Sequence, residues 1–375
     1  MAEEARRNSS GLEGKFETLH EFVKAARLKL SPVLWDYVTG AAETETTLKR
    51  NRYAIDSVAF RPRVLRDISG VECSGPVMGK KARLPVMLAP VGGLERLDPY
   101  GGAAAARAAT AFGIPQMLSS VSGPGLEATA KAANGRKFFQ LYRRGPDKMT
   151  DEIVDRAVDA GYEAFCYTID SAFYGRRERD IARRVSNRSA IVDDGDNRQQ
   201  SLSWSEVKRF KDKHGAKLPL ILKGIQTAED AAIACDHGVD GVYITNHGGR
   251  QLDHVRGTLD ILPEVVEAVR GRAQIIIDGG FYRGTDIVKA IALGANTVAI
   301  GRLYLYGLAA ASDAGVMRVL EILEHEIRTC LGLIGCVGFA EVTRAHVAAA
   351  PSVTMPHVFS AFPLLNLADD GYGGR

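Results

Sequence analysis

From residue 84 onward the chain alternates short apolar runs with helix-length amphipathic stretches. The runs are LPVMLAP, IPQMLSS, KFFQLY, AFCYTID, LPLILKG, GVYITN, AQIIID and NTVAIG. They are apolar on successive residues rather than alternately, the pattern of strands covered on both faces. Helical periodicity fills 99–112, 124–133, 147–160, 203–213, 227–237, 260–270 and 283–293. Eight strands with intervening helices predict an α/β fold, a (β/α)8 TIM barrel. A doubly wound sheet is the competing arrangement. Polar residues follow the C-terminal ends of nearly every run, which favours the barrel.

Before the first run the pattern is helical. It predicts one helix through FETLHEFVKAARLKL and a second opened by Ser31-Pro32 that carries Trp35, Asp36 and Tyr37. Proline suits the first helical position. A third helix is expected from Glu43 to Ile55. Together these make an N-terminal helical cap, residues 15–70, after a disordered leader, residues 1–14. Residues 15–350 are expected to form one domain and 351–375 a C-terminal tail. The polar, charge-rich segment 178–202 reads either as a lid loop after the fourth strand or as a plain surface insertion.

Composition narrows the partners. A net charge of +3 over 375 residues gives no electrostatic case for nucleic acid. The N-terminus lacks the apolar core of a signal peptide, and no apolar run reaches the 18 residues of a membrane span. The five cysteines contain no Cys-x-x-Cys pair, so a reducing cytoplasm is expected, with no metal site.

The strand ends carry the candidate chemistry. They offer Ser119 and Ser120, then Gln140 and Tyr142, Thr168 and Asp170, Lys223, Asn246, His247 and Arg250, Asp278, Gly279 and Gly280, and finally Gly301 and Arg302. One polar residue at a strand end commonly satisfies only a local backbone group; a whole rim of them points to a site. DGGFYRGTD and IGR follow the seventh and eighth strands, where barrels bind phosphate. Lys223 could stabilise an anionic cofactor ring, form a Schiff base or pair with a structural carboxylate. In TNHGGRQLD, His247 can serve as a base beside Arg250, which can grip a carboxylate through two nitrogens.

NHGGRQLD, with DGG…RGTDIVKAIALGA…IGR downstream, resembles the FMN-dependent L-2-hydroxy acid oxidases and dehydrogenases. FFQLY, the T-x-D…GRRERD pattern and LKGI-x-TAEDA agree in order and spacing over residues 16–345. The resemblance implies FMN as cofactor and oxidation of an L-2-hydroxy acid to the 2-oxo acid. It casts His247 as the base and Asp170 as its paired carboxylate. By the same resemblance Arg177, Arg250 and Tyr37 would hold the substrate carboxylate, and Tyr142 would stand near its hydroxyl. Lys223 would lie beside the flavin's N1 and C2 carbonyl. Ala89, Pro90, Val91, Ser119, Gln140, Thr168 and Thr245 would line the flavin. Asp278 would meet the ribityl chain, and Gly279, Gly280, Gly301 and Arg302 the phosphate. Members are commonly tetramers, so a homotetramer is expected, and a neighbouring subunit is one candidate to cover the apolar HVFSAFPLL of the tail.

The departures are specific. The family's phosphate loop reads Asp-Gly-Gly-hydrophobic-Arg, but here Tyr282 holds the arginine position and Arg283 follows. Either Arg283 reaches the phosphate or Tyr282 donates a hydrogen bond. Gly92 stands where the oxidases often have alanine, and Val121 where glycolate oxidase has tryptophan. Gly92 favours a dehydrogenase passing electrons to an acceptor other than oxygen, such as a quinone or carrier protein; an oxygen-using oxidase releasing peroxide is the alternative. Gly92, Val121 and Tyr174, with Phe173, suggest room for a bulky, mandelate-like side chain, although lactate also fits. A relative acting on a modified peptide or amine, and a flavin-binding protein without turnover, are further alternatives. The paired arginines argue against the one and the His247–Asp170 pair against the other. No haem domain precedes the barrel, and the 178–202 segment has no membrane-anchoring character.

Overall fold

The computed structural model describes residues 11–184 and 199–365. The chain opens with helices α1 (Leu19–Lys29), α2 (Pro32–Thr39) and α3 (Thr46–Asp56). Each start has a local cause. The Thr18 amide donates to the Glu21 carboxylate at 2.8 Å, and the Ser31 hydroxyl accepts from the Leu34 amide, as helix N-termini require. The third helix starts three residues later than the apolar pattern suggests. Glu43 and Glu45 adopt left-handed backbone angles there, and Asp253 accepts from the Thr46 and Thr47 amides at the new start.

A strand β1 (Val58–Phe60) and an antiparallel hairpin, β2 (Gly75–Val77) and β3 (Lys80–Ala82), precede the barrel. The eight barrel strands are β4 (Val86–Leu88), β5 (Gln116–Ser119), β6 (Lys137–Leu141), β7 (Ala164–Thr168), β8 (Leu220–Ile225), β9 (Gly241–Ile244), β10 (Gln274–Ile277) and β11 (Thr297–Ile300). All pair in parallel and close on themselves, β11 against β4. The fold is therefore the (β/α)8 barrel, and the doubly wound sheet is excluded. The helices between strands are α4 (Gly101–Phe112), α5 (Leu126–Ala132), α6 (Asp147–Asp159), the short α7 (Glu178–Ala182), α8 (Trp204–His214), α9 (Ala228–Asp236), α10 (Thr258–Val269) and α11 (Gly284–Ala292). The helix after the last barrel strand, α12 (Arg302–Ile334), kinks at Ala311 and Ser312 and packs against α1 and α4. β12 (Val347–Ala349) returns to pair with β1.

The barrel interior explains where the site must lie. Met87, Met117, Phe138, Cys166, Ile221, Tyr243, Ile276 and Ala299 pack together inside it, with Val77, Met78 and Ala82 of the β2–β3 hairpin in the same cluster. Side chains alternate along a strand. The residue two places on from each of these faces inward at the C-terminal rim: Ala89, Ser119, Gln140, Thr168, Lys223, Thr245, Asp278 and Gly301. An apolar floor thus carries a polar rim by strand periodicity alone.

Most of the expected lid lies outside the described residues. Of its described part, Arg179 and Arg183 pair with Glu45 and Asp36. The leader up to residue 10 and the tail from 366 also lie outside. Part of the apolar tail stretch packs on its own chain, while Leu364 stays 46% exposed. Phe359 stacks on Trp35 at 5.6 Å, and Phe362 is buried among His20, Tyr282 and Tyr306. No helix of the described residues is long and apolar enough to cross a membrane.

Candidate active site

The rim encloses a cavity of about 350 Å³, within the size range of ligand sites. At its centre stands His247, in the turn after β9. The residue has φ of +58°. The turn holds because the Asn246 carboxamide accepts from the Gly249 amide at 3.1 Å and Gly248 tolerates its own φ of +64°. Nδ1 of His247 lies 3.0 and 3.2 Å from the two Asp170 oxygens. A carboxylate only accepts, so Nδ1 carries the proton and Nε2 keeps its lone pair. The Tyr142 hydroxyl reaches Nε2 at 3.3 Å. Burial and the Lys223 charge, 3.4 Å from Nδ1, pull the imidazole down to about 4, with Asp170 opposing. Burial alone would raise the Asp170 carboxyl, but His247 and Lys223 hold it below its ordinary value. The resting imidazole is therefore neutral and able to accept a proton.

Two guanidiniums face this base. Arg250 is partly buried and donates to the Tyr37 and Gly40 carbonyls at 2.6 and 2.9 Å. Burial, then the charge of Arg177, pull it down to about 10. Arg177 donates to the Tyr174 hydroxyl and to the Arg250 carbonyl at 3.3 Å. Among the described residues neither pairs with a carboxylate. The Tyr37 hydroxyl donates to the Gly92 carbonyl at 3.0 Å, and Arg250 lies over its ring. Gly92, Val121, Tyr142 and Tyr174 line the same end of the cavity. Phe173 is 75% exposed and does not line the cavity.

The other end is lined by Ala89, Pro90, Val91, Lys223, Asp278, Gly279, Gly280, Tyr282, Gly301 and Arg302. Asp278 accepts from the Tyr243 hydroxyl at 2.8 Å and from the Thr245 hydroxyl, whose oxygen also accepts from the His247 amide. Burial raises the Asp278 carboxyl, with Lys223 opposing. Ser119, Gln140, Thr168 and Thr245 are buried at the strand ends beside the cavity. Asp170 stands behind His247.

One expected residue is elsewhere. Arg283 pairs with Glu326 and donates to the Ala361 carbonyl at 3.2 Å, outside the cavity. With its guanidinium held by Glu326 of α12, Arg283 does not line the cavity, where Tyr282 does.

Other residues were not anticipated. Glu95, Arg96 and Arg144 also line the cavity; their positions just beyond the ends of the first and third barrel strands were the available signal. The remaining letters of NHGGRQLD are scaffold. Asn246 and Asn51 exchange two carboxamide hydrogen bonds of 2.9 and 2.7 Å. The Gln251 carboxamide donates to the Asp170 and Phe173 carbonyls, and Asp253 caps α3.

The residues present suit a flavin mononucleotide. The Gln140 carboxamide, the Thr168 hydroxyl and the Tyr282 hydroxyl are buried with no hydrogen-bond partner, an arrangement costly unless a ligand completes it. The space around Gly301 is open to 4 Å. Lys223 and Arg302 supply cations for a ring and a phosphate.

The family model for FMN-dependent dehydrogenases matches residues 26–349. Glycolate oxidase 1 of Oryza sativa subsp. indica is 38% identical, the match covering 89% of this chain and 96% of the relative. Glycolate oxidase of Spinacia oleracea is 37% identical, covering 88% and 95%. A structure of mandelate oxidase with benzoyl-formic acid superposes with a TM-score of 0.81 at 35% identity, covering 90% of this chain and 100% of the other. The chain belongs to the FMN-dependent dehydrogenase family and is an FMN-dependent oxidoreductase of 2-hydroxy acids.

Proposed function

We propose that this enzyme oxidises an L-2-hydroxy acid with a bulky side chain to the 2-oxo acid and passes the electrons to oxygen. The observation that carries the reading is a neutral His247, backed by Asp170, facing two guanidiniums that pair with no carboxylate among the described residues. Arg177 and Arg250 bind the substrate carboxylate, and Tyr37 flanks it. His247 then accepts a proton from the substrate at Nε2, and Asp170 stabilises the resulting imidazolium. Tyr142, already bonded to Nε2, is placed to meet the substrate hydroxyl. FMN, held by Lys223, Gln140, Thr168, Asp278 and Arg302, supplies the two-electron acceptor.

Two observations support the finer choices. Gly92 and Val121 leave one wall of the cavity small, which suits a mandelate-like group. The curated relatives named above are oxidases, which supports oxygen as acceptor; Gly92 favours the second reading, a dehydrogenase with another acceptor. The five cysteines are free, which supports a reducing compartment such as the cytoplasm. Anaerobic mixing with a panel of L-2-hydroxy acids should bleach the flavin, fastest with aryl members. If no hydroxy acid bleaches it, the substrate reading fails. The same panel in air, with peroxide detection, separates the two acceptors: slow or absent peroxide supports the dehydrogenase.

A further inference from the structure

Barrels of this type bind phosphate after their seventh and eighth strands, commonly with a helix N-terminus. Here the amides that lead into α11 are already engaged. The Tyr282 and Arg283 amides donate to Asp286 at 2.9 and 3.0 Å, and the Gly284 amide donates to Glu326 at 2.7 Å. A phosphate at this end must look to other donors. Tyr282 lines the cavity at this end, is 3% exposed, and its hydroxyl meets no acceptor among the described residues. The neighbouring Arg302 can only donate, so the phenol hydrogen has no acceptor among the described residues.

The ring is held from behind. Phe362 of the C-terminal tail packs against it, centroids 5.3 Å apart, and is itself 2% exposed. The tail is fastened where Arg283 donates to the Ala361 carbonyl, while Arg283 is locked by Glu326. The guanidinium adjacent in sequence to Tyr282 thus anchors the tail, and the tail fixes the phenol.

We propose that Tyr282 donates its phenol hydrogen to the phosphate of FMN, and that the tail segment around Phe362 is the buttress that aims it. The inference rests on FMN being the cofactor and adds a phosphate donor with its support. A phenol in place of a guanidinium leaves Arg302 as the cation at that end, so part of the phosphate affinity passes to a neutral donor.

The test compares FMN with riboflavin, which lacks the phosphate. Both are titrated into the flavin-stripped full-length protein, followed by flavin fluorescence. Tyr282→Phe should raise the FMN dissociation constant about tenfold, the weight of a hydrogen bond to a charged group, and leave riboflavin unchanged. Thermal stability should move in opposite directions. Without flavin the variant should melt at or above the wild-type temperature, because a buried unpaired hydroxyl is gone; with FMN it should melt below it. Phe362→Ala should weaken FMN more than riboflavin, by loosening the ring. Equal losses for both flavins, or an unchanged FMN constant in Tyr282→Phe, would overturn the assignment. Failure of the wild-type protein to bind either flavin would instead overturn the cofactor reading beneath it.

Discussion

Gly92 and Val121 are fitted to one another: a methyl group added at Gly92 would lie 2.7 Å from Cγ2 of Val121. Something must shift, and overpacking of this kind costs about 1–3 kcal/mol. Val121 is 41% exposed, so it can turn, but it turns within the cavity that it lines. Gly92→Ala should therefore raise KM for an aryl hydroxy acid about tenfold while changing KM for lactate little. Adding Val121→Ala should restore the aryl substrate. A single variant that treats both substrates alike would show that this wall does not meet the substrate side chain.

The pH profile should report the surroundings of His247. Its imidazole is held down to about 4 by burial and Lys223, against Asp170. The basic form therefore persists above about pH 4, and kcat/KM should fall only below that. Substrate carboxyls ionise near the same point, about 4, so the diagnostic is the displaced limb. Lys223→Met removes a charge that lowers the imidazole, and the acid limb should move up toward neutrality. Asp170→Asn removes the opposing charge, so the limb should not rise, but kcat should fall about 10²-fold as the imidazolium loses its partner. A limb that stays put in Lys223→Met would show that another group is titrating.

Arg177 and Arg250 should differ when replaced by lysine. Lysine offers a point charge in place of a planar fork. Arg177 is bound mainly to Tyr174, so Arg177→Lys should raise KM about 10–100-fold with the melting temperature unchanged. Arg250 also ties the Tyr37 and Gly40 carbonyls, so Arg250→Lys should raise KM and lower the melting temperature together. Equal stability effects from the two would refute the division of labour.

Much of this was legible before the structure because one rule governs it. An apolar strand followed by a polar residue at its inner-facing end places Gln140, Thr168, Lys223 and Asp278 on a rim, whatever the rest of the chain does. Arg283 was illegible for the complementary reason. Its partner, Glu326, belongs to the helix after the last strand, and no local pattern says that a carboxylate 43 positions away will claim the guanidinium. The tail is similar: its apolar face implies a cover, but not that Trp35 and Tyr306 of the same chain pack on Phe359 and Phe362. Asn51 lies in a helix of ordinary composition, and only the tertiary structure brings its carboxamide to Asn246.

Acid should destabilise the fold through two histidines, buried His20 and partly buried His247. His20 is lowered to about 4 by burial and Arg283, Glu21 opposing, and both its ring nitrogens lack partners. His247 is lowered as far. Between the unfolded value of about 6.5 and about 4 the unfolded chain binds more protons, so stability is full above this window and falls as pH drops through it. The slope is at most about 1.4 kcal/mol per pH unit for each group. His20→Leu should flatten the melting temperature between pH 6.5 and 4 without loss at pH 7. An unflattened profile would place the acid sensitivity elsewhere.

Association should depend on salt. Arg96, Arg144, Arg177, Arg250 and Arg302 line the cavity, with Glu95 and Asp278 as its lining carboxylates. Arg96 lies 5.0 Å from the Tyr37 ring centre and Arg250 4.8 Å, so the substrate end is bracketed by positive charge. Such a field draws anions in, and screening shortens its reach from about 30 Å at 0.01 M to about 3 Å at 1 M salt. For a monoanionic hydroxy acid, kcat/KM should fall severalfold over that range while kcat holds. Arg96 is exposed at the rim, so Arg96→Met should reduce the salt slope with little change in kcat. A slope identical to wild type would mean that the buried arginines alone set the field, and a kcat/KM indifferent to salt would mean that attraction plays no part in capture.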